Sequence, residues 1–117
     1  MNDRVFEKIV RQALDELPDQ FKEALQNIEI VIEDRPEPEL LDEMGLDALL
    51  GLYQGVPLPE REMGDILLPD KISIYKEEIL DLGVRGRELV EEIRITVLHE
   101  IGHYFGLDDE TMEEMGY

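Results

Sequence analysis

The chain has 117 residues, a common length for one globular domain and too short for two independent cores. Hydrophobic residues make up 43% of it, enough for one core, and 30 acidic against 11 basic residues give a formal net charge of −19. That charge repels phosphate backbones and anionic lipid headgroups, which argues against nucleic acid and membrane surfaces as partners; the absence of cysteine excludes disulfides, thiol nucleophiles and thiolate metal sites.

At the start of the chain Phe6, Ile9, Val10, Ala13, Leu14 and Leu17 recur at three- and four-residue spacing, which predicts an amphipathic helix capped by Asn2 or Asp3 and ended by Pro18. A short second helix, roughly Pro18 to Gln26, turns Phe21 and Leu25 inward. Ile28 to Glu33 is β-branched and nearly alternating, so it predicts a strand, which Asp34 to Pro38 breaks. Ala48 to Gln54 predicts a second strand, stopped by Gly55 and Pro57. Pro57, Pro59, Gly64 and Pro69 make the stretch from Val56 to Asp70 mostly loop, with a brief pairing segment at Ile66 to Leu68. Lys71 to Lys76 alternates cleanly and predicts a third strand.

A last long helix starts near Arg87, repeats through Val90, Ile93, Val97, Ile101 and Phe105, and ends at Gly106. This order predicts an α+β fold: one domain over residues 1–117, with helices packed on a small, about three-stranded sheet. No signal-peptide pattern opens the chain, and no run approaches the ~20 apolar residues of a spanning helix. The longest apolar run, Ala48 to Tyr53, is strand-sized. The expected compartment is the cytoplasm.

The chemistry is concentrated at His99-Glu100-Ile101-Gly102-His103, an H-E-x-x-H pattern on the last predicted helix. Residues four apart on a helix are ~40° apart around its axis, so both imidazoles project from one face and can grip one metal ion. Glu100 is turned ~100° from His99, so its carboxylate flanks the metal and can take a proton from a metal-bound water. On the same wheel Val90, Ile93, Val97, Ile101 and Tyr104 form a packing face opposite the histidines, with Glu92, Ile95 and Thr96 on the histidine side. These two histidines are the only ones in the chain.

The pattern extends through Tyr104-Phe105-Gly106-Leu107-Asp108-Asp109 to H-E-x-x-H-x-x-G-x-x-D. Gly106 suits the left-handed turn that ends a helix, with Leu107 folding back as its hydrophobic contact. The reversed chain can bring Asp109 to the metal as a third protein donor, leaving one position open, as in a catalytic zinc centre. Asp108 competes for that role, but the offset from Gly106 favours Asp109. Glu110 and Glu113 read as solvated, and Met112 and Met115 as ordinary packing or a frayed terminus. Asp108-Asp109-Glu110 lacks the alternating oxygen ligands and central glycine of a calcium loop.

With HEIGHYFGLDDE as signature, the sequence resembles the small zincin-like metallopeptidase family of bacteria, sometimes called minimal zincins. The likeness spans nearly the whole chain, including LLGLYQGVPL and KISIYKEEIL. It implies a small α+β zincin domain, His99, His103 and Asp109 as Zn2+ ligands, and Glu100 as catalytic base. The expected function is therefore a zinc-dependent peptidase acting on a peptide or protein substrate laid along an exposed strand. The alternative is a zinc-binding protein with little turnover that acts on a partner through its acidic surface. Tyr53 and Tyr75 are the available oxyanion donors, although strand-end tyrosines more commonly serve as edge packing.

Overall fold

The computed structural model describes residues 1–26, 28–55 and 70–117. Helix α1, Asp3–Asp15, buries Phe6, Ile9, Val10 and Ala13, the stripe its sequence predicts. Its cap is Asn2, whose side chain accepts the Val5 N–H at 2.9 Å. Helix α2, Asp19–Ala24, follows Pro18 and buries no residue fully. Phe21 stays 38% exposed, so it lies less deep than expected, with its ring edge-on to Phe105 at 5.1 Å.

Strand β1, Ile28–Glu33, matches its expected bounds and pairs in parallel with strand β3, Asp70–Tyr75. Strand β2, Gly51–Gln54, pairs antiparallel with β3, giving the order β1-β3-β2. Strand β2 is shorter than the expected 48–54, although the Leu50 carbonyl still accepts the Tyr75 N–H at 2.9 Å. The register sets Ile30, Ile72, Tyr53 and Ile32, Ile74, Gly51 on one face of the sheet. The brief pairing expected at 66–68 lies outside the described residues.

Three short helices are absent from the sequence-based expectation. Helix α3, Pro38–Met44, has proline at its start and ends at Gly45 in the left-handed conformation, φ 67°. Helix α4, Lys76–Leu80, begins where the third strand was expected to continue. The Lys76 ammonium is buried and bonded to the Asp3 carboxylate, which raises its pKa and ties α4 to the start of α1. Helix α6, Asp109–Glu114, occupies the segment for which ordinary packing or a frayed terminus was expected.

Helix α5, Gly86–Tyr104, contacts α1, β2 and β3. Leu89, Ile93, Val97 and Ile101 join Phe6, Ile9, Val10, Ile72, Ile74 and Ile79 in one cluster. Val90 was expected in that face but is 38% exposed. The described residues thus form an α+β fold: six helices and a mixed three-stranded sheet with α1 and α5 against one face. None of these helices is long and apolar enough to cross a membrane.

Candidate metal centre

His99 and His103 stand one turn apart near the end of α5, their rings edge-to-face with centroids 4.7 Å apart. Both side chains are about one-third open to solvent or less. Beyond Tyr104 the helix stops because Gly106 takes φ 86°, the left-handed conformation that suits glycine. The Leu107 N–H then donates to the Gly102 carbonyl at 2.9 Å and the Gly106 N–H to the His103 carbonyl at 3.0 Å, closing the reversal.

The reversal delivers two neighbouring aspartates to different tasks. Asp108 caps α6, its Oδ1 accepting the Thr111 N–H at 2.8 Å. Hydrogen bonds from Thr111, side chain first and then amide, hold its carboxyl below the usual range. Asp109 points the other way: its Oδ1 lies 3.2 Å from His99 Nε2 and 3.3 Å from His103 Nε2. Of the two aspartates, Asp109 is the one placed beside both histidines.

Glu100 is only 7% exposed, and its donor atoms and those of both histidines lie within 4.8 Å of one another. Its Oε1 accepts the Tyr53 N–H at 3.0 Å. The antiparallel ladder, with the Tyr75 N–H on the Leu50 carbonyl, turns that Tyr53 amide away from β3 and toward α5. Burial pushes the Glu100 carboxyl up; the His103 charge and the Tyr53 N–H oppose this, and Asp109 adds to it.

The histidine stripe is not opposite a single packing face, as the helical wheel suggests. Thr96 and Glu100, on the histidine side, are buried because β2 packs along them. Gly51 makes that approach possible. A Cβ there would stand 3.0 Å from Thr96 Cγ2 and 3.1 Å from Glu100 Cγ. Gly51→Ala is expected to cost about 1–3 kcal/mol of stability by overpacking, measured by chemical denaturation.

A second glycine serves α5 and α6. Glycine inside a helix costs about 1 kcal/mol relative to alanine, yet Gly102 sits one residue before His103. A Cβ on it would overlap the Met112 sulfur. Met112 is fully buried, so its packing is part of the structure, whereas Met115 is 55% exposed.

Of the two tyrosines, Tyr53 borders the site. Its hydroxyl donates to Asp70 Oδ2 at 2.6 Å and its ring lies edge-on to Tyr104 at 5.9 Å. Tyr75 lines a separate cleft with Arg35 and Lys71. Glu110 and Glu113 are exposed.

A cleft of about 820 Å3 opens over the group, with Leu49, Gly51 and Tyr53 on one side and His99, His103 and Leu107 on the other. Sequence reasoning singled out Tyr53 for its hydroxyl and missed its main-chain amide, together with the contributions of Gly51 and Gly102. A lone glycine in a strand or helix is a sign of close approach, and it is the one available signal for the two glycines.

Residues 25–117 match the zincin-like metallopeptidase family. Among solved structures the chain is similar to a conserved hypothetical protein from T. thermophilus, with a TM-score of 0.60 and 28% identity, covering 90% of this chain and 94% of that one. No curated protein matches significantly. The family match runs from the end of α2 through α6 and takes in the whole His-Glu-His group together with both aspartates. The chain belongs to the zincin-like metallopeptidase family.

Proposed function

We propose that the protein is a zinc-dependent peptidase, with His99, His103 and Asp109 as zinc donors and Glu100 as general base. The observation that carries this reading is the convergence of both Nε2 atoms on one Asp109 oxygen, at 3.2 and 3.3 Å. Two imidazole nitrogens and a carboxylate oxygen are a donor set that zinc accepts, and three protein donors leave a fourth position open. When bound there, zinc supplies a Lewis acid that polarises a carbonyl and lowers the pKa of water.

The remaining chemistry belongs to the chain. The Tyr53 N–H fixes one oxygen of Glu100, and burial raises the affinity of that carboxylate for a proton. Glu100 takes a proton from the attacking water as the water oxygen bonds to the carbonyl carbon. It returns that proton to the amine nitrogen as the carbon–nitrogen bond breaks. Strand β2 lies at one edge of the sheet formed by the described residues and borders the cleft; Glu100 already takes the Tyr53 N–H on that edge, so main-chain pairing with an extended peptide falls to Gly51.

The purified protein with one equivalent of zinc is expected to cleave unstructured peptides, lose that activity to a chelator and regain it on zinc addition, as followed by mass spectrometry of the products. A folded, zinc-loaded protein that leaves a diverse peptide library intact would overturn the peptidase reading in favour of a zinc-binding module.

A further inference from the structure

We infer that Met112 is a positioning residue for the metal centre: seated in the notch left by Gly102, it fixes α6 against α5 and thereby holds the Asp109 carboxylate at the two histidines. The inference rests on the proposed zinc site and deepens it. Three observations combine. Met112 is fully buried although it belongs to a six-residue helix whose other residues are not. Its sulfur occupies the place a Cβ on Gly102 would take, with its Cγ 3.1 Å from that position. Gly102 lies between the two histidines in sequence, and Met112 lies one helical turn after Asp109.

The physical consequence is a short chain of rigid parts. Asp109 is on the first turn of α6, its side chain 75% exposed, so few contacts of its own restrain it. The backbone reversal at Gly106 sets where the chain goes next but leaves α6 free to pivot about that turn. The Met112 side chain removes the pivot, because it anchors the far side of the same turn to the helix that carries His99 and His103. A helix this short has little stability of its own, so its orientation depends on such an anchor. Supporting contacts of this kind typically change metal affinity by about 10–100-fold when lost.

Zinc affinity, measured by competition with a chromophoric chelator, tests this on the full chain. Met112→Ala is expected to weaken zinc about 10-fold or more. Gly102→Ala leaves the methionine in the chain but denies it the notch, and should give a comparable loss even if Met112→Ala proves too unstable to study. Met112→Leu refills the notch and should restore most of the affinity. Ile79→Ala, in the core away from the cleft, lowers stability without touching α6 and should leave zinc affinity unchanged. The decisive arm is Met112→Ala placed in an Asp109→Ala background, where the further loss should fall below about twofold, because the residue it positions is gone. An equal loss in both backgrounds, or wild-type affinity in Met112→Ala and Gly102→Ala, would overturn the inference while leaving the zinc site standing. Equal zinc affinity in the wild-type chain and Asp109→Ala would overturn the donor assignment itself, and this inference with it.

Discussion

Glu100→Gln is expected to lower peptide hydrolysis by about 10²–10⁴-fold while the protein still binds zinc. The substitution keeps the shape of the side chain and an oxygen that can accept the Tyr53 N–H, so β2 and α5 stay in register. What it removes is the ability to take a proton from water. Folding stability provides an internal check. Burial raises the Glu100 pKa, so near neutral pH the charged carboxylate is less favoured in the folded chain than in the unfolded one. A neutral amide escapes that penalty, and the variant should be at least as stable as the parent. Steady-state kinetics, zinc titration and denaturation together read the three outcomes. Wild-type turnover in Glu100→Gln would remove this residue from the proton transfer.

Asp109→Ala should weaken zinc by more than the roughly 10–100-fold that loss of a supporting contact costs, whereas Asp108→Ala should not. The neighbours differ in what they hold. Asp109 stands against both imidazoles; Asp108 accepts the Thr111 N–H and caps α6. Losing the cap is worth about 1 kcal/mol of stability, while the exposed Asp109 contributes little to the fold without metal. Each variant removes one negative charge, so a change in the protein's overall field cannot separate them. Asp109→Ala should be stable and weak for zinc, and Asp108→Ala less stable with nearer to normal affinity. Matched titrations and melts distinguish them, and the reverse pattern would exchange their roles.

Residues 28–33 and 86–104 were legible because each element is long enough to repeat its period against one buried face. Helices α3, α4 and α6 span seven, five and six residues, so none has two full turns in which a stripe could show. In α4 the alternation of β3 simply runs on into Lys76 before the backbone coils. The proposed metal donors stand out in the sequence for a different reason. His99 and His103 lie one turn apart on α5, and Asp109 opens α6 just past the turn at Gly106, so residues close in sequence bring the three together. Tyr53 acts on Glu100 across 47 positions through a main-chain amide, and no side-chain pattern records which amide an edge strand will offer.

Helix α5 carries Ile93, Val97 and Ile101 into the core and His99 and His103 to the cleft. Completing the hydrophobic interior and assembling the donors are therefore a single event in this chain, and a ligand that requires the donors in place binds the folded form alone. By mass action, free zinc at a hundredfold excess over its dissociation constant would add about 2.7 kcal/mol to the folded state. If the proposed zinc site is filled in this way, the zinc-free chain is expected to open more often and to be digested faster by an added protease than the zinc-loaded one.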